Sequence, residues 1–274
     1  MEQLTELIPL ALAMLATGVV GGILAGLLGV GGGIVIVPVL DTTLGLLGVD
    51  PAIRMHVAVA TSLATIIPTS ISSSRAHHAK GAVDMALVRF WGPFVFVGSI
   101  IGTLLAAQVD SHVLSLVFGA VALLVAVKMI LPMENTFIRQ DIPRGVVGPL
   151  PPLAIGTLSS MMGIGGGTLS VPVLTLMKQA IHRAVGTAAL FGLLISLPGA
   201  VGYVVAGWGD ARLPPGSLGY VNIIGFLLIA PVTVMTAPWG AKLAHRLSKR
   251  QLSLAFGVFL LIVAVRMLYR ASLA

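Results

Sequence analysis

The sequence contains no cysteine. That excludes a disulfide framework, thiolate chemistry and any cysteine-based metal site. Charge is nearly as scarce: 9% of the 274 residues are charged, against 57% hydrophobic. Soluble domains carry roughly 25% charged residues. A chain this poor in charge, with a mean hydropathy of +1.06, cannot cover a water-facing surface, so lipid is the expected solvent. A basic leader is missing too. Glu2 and Glu6 open the chain, the wrong sign for a cleaved signal peptide, so the first apolar run is expected to stay as a membrane segment. The apolar runs hold essentially no Asp or Glu, the usual carriers of coupling protons or Na⁺. That argues against a cation transporter and suits an anionic substrate.

The formal charge of +7 does not indicate nucleic acid. The basic residues are scattered over short loops, with no basic stripe and no aromatic interleaving. Enzyme signatures are also missing: there is no Gly-x-Ser-x-Gly elbow, no His-Glu-x-x-His and no acidic pair. Ser62 and His56 lie six residues apart on one helix, poor geometry for a nucleophile and its base. No cofactor is implied. His77 and His78 have no acidic neighbours in a ligand pattern, so no metal site is expected.

What the sequence does have is a series of apolar runs, at residues 7–28, 34–47, 53–71, 86–107, 113–131, 146–162, 169–177, 184–206, 218–243 and 252–268. A bilayer crossing needs about 20 residues. Runs 34–47 and 169–177 are short, each follows a glycine cluster, and each contains a proline, Pro38 or Pro172. Such segments are expected to be broken or re-entrant, a backbone tolerated only inside protein or beside a water-filled cavity. The whole chain, 1–274, reads as one all-α polytopic membrane domain. Its parts are a first repeat at 7–132, a polar linker at 133–145 and a second repeat at 146–270, each with four to five transmembrane segments.

The repeat is explicit. Residues 22–40 align with 156–174 at an offset of 134, with about half the positions identical. His56, Thr61 and Ser62 align with His182, Thr187 and Ala188. Val83, Pro93, Gly102, Phe118 and Lys128 align with Val221, Pro231, Gly240, Phe256 and Arg266. Duplicated membrane units are common in secondary transporters. With five segments per half, the halves are inverted. One side then collects Arg75, Lys80, Arg89, Arg139, Arg144, Lys178, Arg183, Arg246, Lys249 and Arg250. The other keeps Arg54, Lys128, Arg212, Arg266 and Arg270. That bias fits the positive-inside rule with both termini outside.

The sharpest candidates for a site are Gly29, Gly31, Gly32 and Gly33, with their copies Gly163, Gly165, Gly166 and Gly167. Glycine permits positive φ and close backbone approach. Successive N–H groups in such a turn can form an anion-binding nest, and the following helix points its positive end at the same place. Small-residue helix packing is the competing explanation. Thr61, Ser62 and Thr187 lie early in the next helix of each half, where a hydroxyl can donate to an anion without an intramembrane charge or bond back to its own helix. Arg54, His56, His182 and Arg183 precede those threonines, as electrostatic or proton-linked groups or as snorkelling anchors.

At these residues the chain resembles the TauE/SafE (sulfite exporter) family of membrane transporters. The resemblance rests on the paired glycine motifs with Pro38 and Pro172, on residues 58–63 and their copy at 184–188, and on the 81–84 loop before a glycine-rich helix. It implies a multipass protein of the bacterial inner membrane that moves a small sulfur oxyanion or organosulfonate such as sulfite or sulfoacetate. The partners it implies are that anion and the bilayer, with H⁺ or Na⁺ as coupling ion and a homodimer both left open. An anion channel and a non-transporting scaffold subunit are the rival readings. Ala188 departs from the motif where the first copy has Ser62.

Overall fold

The computed structural model describes residues 2–28, 31–131, 148–243 and 249–272. Among them it forms ten helices: α1 (Glu2–Leu28), α2 (Gly33–Leu46), α3 (Pro51–His78), α4 (Met85–Ala106), α5 (Ser111–Ile130), α6 (Leu150–Met162), α7 (Gly167–Leu176), α8 (Ile181–Ala206), α9 (Ile223–Leu243) and α10 (Lys249–Ser272). A two-residue ladder, β1 (Ser217–Leu218) with β2 (Val221–Asn222), leads into α9. The 133–145 linker lies outside the described residues.

Scarce acids start several helices. The side chains of Asp50, Asp84 and Asp110 accept from the backbone N–H of Ala52, Leu87 and Val113 at the openings of α3, α4 and α5. Each satisfies one of the donors a helix N-terminus leaves over. Asp84 is thereby a cap, and it makes no ion pair with exposed Arg89, one turn into α4.

Among the described residues, five helices are long and apolar enough to cross a membrane: α3, α4, α5, α8 and the Ile223–Gly240 part of α9. They expose large apolar side chains such as Leu124 (70%) and Met235 (72%), while Trp91, Phe118, Phe191 and Tyr203 are fully buried. An apolar exterior around a packed interior is what lipid as solvent demands. Helices α2 and α7 differ. At 1.5 Å per residue, their 14 and 10 residues reach about 21 and about 15 Å, short of a hydrocarbon core of about 30 Å. Helix α2 is almost wholly enclosed.

The two halves are interleaved. Helix α1 packs on α9, and its repeat counterpart α6 packs on α4. Likewise α3 packs on α9 and α8 on α4, while the counterparts α3 and α8 meet each other, as do α5 and α10. Glycines make the close crossings. A methyl group on Gly18 would press on Val232, and one on Gly22 would collide with Thr236. In the matching pair, Gly98 faces Leu153 and Gly102 faces Thr157. Both pairs therefore run parallel. The counterparts run the other way. Leu63 meets Gly199 while Ser70 meets Gly192, and Gly119 meets Leu268 while Gly257 meets Ile130. Helix α3 is thus antiparallel to α8, and α5 to α10.

The cysteine-free chain suits a direct check. Leu63→Cys with Gly199→Cys is expected to form an oxidative cross-link in membranes, while Leu63→Cys with Gly192→Cys, about 10 Å further along α8, does not. Gel mobility reads the result, and the opposite pattern contradicts the antiparallel packing.

Candidate functional site

The site is built from backbone before side chains. Gly31 and Gly32 lie in the left-handed region at φ 72° and 79°, and Gly163 at 65°. A side chain is strained there. The space is closed as well: a methyl on Gly32 would lie 2.7 Å from the Gly21 carbonyl oxygen, and one on Gly163 2.8 Å from Val59 Cα. These breaks bring the halves into contact. A methyl on Gly31 would lie 3.4 Å from Gly165 Cα, and one on Gly33 would collide with the Gly163 carbonyl. Gly166 packs on Phe191 and Gly192, and Gly167 is the buried first residue of α7. The sequence motifs thus meet each other across the repeat. Gly29 lies outside the described residues.

Helices α2 and α7 both open at this junction, and neither has a side-chain cap. The positive ends of two helices therefore face one small region, with first-turn N–H groups that no side chain occupies. Ser62 belongs here: its Oγ donates to the Gly163 carbonyl at 2.7 Å and so holds the second glycine turn.

Thr61 and Thr187 do matching work. The Asn222 N–H donates to Thr61 Oγ1 at 2.9 Å, and the Asp84 N–H donates to Thr187 Oγ1 at 2.9 Å. Asn222 Oδ1 in turn accepts from Gly225 N, as Asp84 Oδ1 accepts from Leu87 N. Each threonine of one half thus anchors the residue that starts the fourth helix of the other half. Each hydroxyl keeps its own proton for donation.

The basic candidates stand apart from the glycines. Arg54 Nε pairs with Asp41 Oδ1 at 2.8 Å. His56 is buried, with Nε2 at 3.1 Å from the carbonyl oxygens of Ala106 and Val109, so Nε2 carries the proton. Arg54 and His56 lie one to two turns before Thr61, while His182, the repeat counterpart of His56, and the neighbouring Arg183 are exposed. Among the described residues no three potential ligands come together as a metal site.

One expectation needs correction. The apolar interior does hold an acid. Asp41 lies in α2 and is buried, and the Arg54 guanidinium offsets its charge. Its partner lies on another helix, so spacing along the sequence does not reveal the pair. Both border a cavity of about 310 Å³ that also touches Asp110, Ser111 and His112. Sequence reasoning also missed what Lys128 and Arg266 do. Lys128 Nζ donates to the Pro172 carbonyl of α7 at 2.7 Å. Arg266 Nη2 donates to Thr42 Oγ1 in α2, which itself donates to the Pro38 carbonyl. Each half's fifth helix thus sends a cation to the other half's short helix. Their alignment in the repeat was the available signal.

The chain matches the family described as sulfite exporter TauE/SafE over residues 14–267. It belongs to that family. A relative from Haemophilus influenzae, named a probable membrane transporter protein, is 33% identical over 256 residues, covering 93% of this chain and 97% of its own. Proteins with the same description from Bacillus subtilis and Methanocaldococcus jannaschii are 25% and 26% identical, each covering 93% of this chain and 96% and 94% of their own lengths. No solved structure matches the chain significantly. Family membership and the apolar helices together make this a membrane-embedded protein.

The Thr61 bond can be tested alone. Asn222 is buried, and leaving a buried N–H unpaired costs about 1–3 kcal/mol. Thr61→Val is expected to lower the unfolding midpoint of the purified protein, and Thr61→Ser to restore it. Equal midpoints for Val and Thr contradict the anchoring role.

Proposed function

We propose that this protein is a secondary transporter of a small anion, a sulfur oxyanion or organosulfonate, working by alternating access between two inverted repeats. The observation that carries the reading is the junction itself: two uncapped helix N-termini, one from each half, opening at packed glycines. Such half-helix ends offer an anion fixed dipoles and N–H donors without a buried cation. The relatives' description as membrane transporters agrees with it, and the family name supplies sulfite as the first compound to test.

Helix direction supports the inversion. If α2 and α7 each return the chain across the bilayer, the directions of all the packed pairs above agree, and counterparts point oppositely. Inversion also places counterparts Lys128 and Arg266 on opposite sides. Lys128 then moves to the side of Arg139, and the basic bias becomes steeper. The bacterial inner membrane with both termini periplasmic follows from that bias. The carrier step is a rocking of one half against the other about the glycine contact, with the cross-half bonds of Thr61, Thr187, Lys128 and Arg266 as the contacts that change.

The test is flux in proteoliposomes with sulfite, sulfate, thiosulfate, taurine, sulfoacetate and carboxylate controls. Saturable uptake of at least one sulfur anion, accelerated by the same anion inside, is expected, and Gly166→Val is expected to abolish it while membrane insertion persists. Electrodiffusive current that does not saturate marks a channel and overturns the carrier reading. No flux or binding for any of these anions overturns transport.

A further inference from the structure

The two glycine turns are copies, but their polar surroundings are not. On the α7 side, Thr168 and Ser170 occupy the first turn and Ser159 lies one turn before Gly163. All three are at most 1% exposed, and their hydroxyl oxygens have no hydrogen-bond partner. The aligned residues of the first half are Ile34, Ile36 and Ala25, all apolar and buried. Helix α3 adds to the contrast. Ser70 is 1% exposed and its Oγ has no partner. Its counterpart on α8, Ser196, donates back to the Leu193 carbonyl at 3.4 Å.

Ser70 faces the start of α7. A methyl on Gly192 would lie 2.6 Å from Ser70 Oγ and 3.7 Å from Gly166 N. Glycine at 192 therefore leaves open the gap between the serine hydroxyl and the N-cap amide of α7. Buried hydroxyls almost always find a partner, and those without one mark a place where a ligand supplies it. Among the described residues, Ser70, Ser159, Thr168 and Ser170 lie on the segments around the start of α7, while Ser73 and Tyr203 lie elsewhere and the aligned α2-side positions carry no hydroxyl.

We infer that the anion is held off-centre, on the α7 side of the junction, by Ser70 Oγ, Thr168 Oγ1 and the first-turn N–H groups of α7, and that the α2 side contributes no hydroxyl. This rests on the anion-transport reading above and gives it a location. The donors are neutral, and Ser70 Oγ and the Gly166 amide flank the same gap at Gly192, which suits an XO₃ group, three acceptor oxygens on one central atom, as in sulfite or an alkyl sulfonate. The α2 turn then serves as the apolar wall that closes against the headgroup.

The experiment is calorimetric binding of sulfite and methanesulfonate to the purified full-length protein, with chloride and acetate as controls. Ser70→Ala and Thr168→Val each remove one hydroxyl at nearly constant volume and are expected to weaken binding at least tenfold. Ser196→Ala, the mirror change, is expected to alter it less than twofold. Unfolding midpoints are measured alongside, and Ser70→Thr, which keeps the hydroxyl, is expected to retain binding. Equal losses from Ser70→Ala and Ser196→Ala overturn the asymmetry. Unchanged affinity in Ser70→Ala and Thr168→Val, with binding abolished in Gly166→Val, overturns the hydroxyl site but leaves the glycine junction standing. Wild-type protein that binds neither anion overturns the transport reading itself.

Discussion

The structure depends on backbone meeting backbone at the centre. Gly33 approaches Gly163 so closely that a single methyl would intrude, and Gly31 lies against Gly165 and Ile66. Two consequences follow from that contact. The chain must break its helices there, since Gly31, Gly32 and Gly163 adopt a left-handed backbone. Broken helices expose uncapped N-termini, and lipid cannot satisfy them. The break is therefore enclosed, and α2 is almost wholly buried as a result. Close packing and an anion nest do not exclude each other in this fold: the glycines pack, and by packing they aim two positive helix ends at one place.

Around this centre the halves hold each other by matched polar contacts. Thr61 anchors Asn222 as Thr187 anchors Asp84. Lys128 reaches α7 as Arg266 reaches α2. In a chain with few charges, several polar groups serve helix starts or joints between halves, while bases such as Arg75, Lys80, Arg89 and Arg183 stay exposed. The Asp41–Arg54 pair fits that economy, since one buried acid is neutralised by the nearest base on the next helix. The arrangement keeps the halves joined by a few directional bonds over an apolar interface, the kind of contact that can exchange between two packings.

Much of this was legible in the sequence because repeats, glycine clusters and apolar run lengths are local patterns. The shortness of α2 and α7 followed from the runs at 34–47 and 169–177, and the pairing of the glycine motifs as copies from their duplication. The role of Asp41 was not legible, because its partner is fixed by how α2 lies on α3. Nor was the cross-half bonding of Thr61 and Thr187, since neither threonine lies near its partner in sequence. Ser70 carries no distinguishing signal in the sequence, and only its place beside Gly192 and Gly166 separates it from the other serines of α3. What a sequence hides here is which face of a helix meets which neighbour.

The central claim is that the glycine junction is where the anion binds. Selenite has the shape and charge of sulfite and scatters anomalously, so a crystal structure of the protein grown with selenite locates the anion directly. The account predicts an anomalous peak within hydrogen-bonding distance of the first-turn amides of α7. A peak confined to the Asp41–Arg54 cavity or to surface arginines, with the junction packed shut and no peak there, would contradict it.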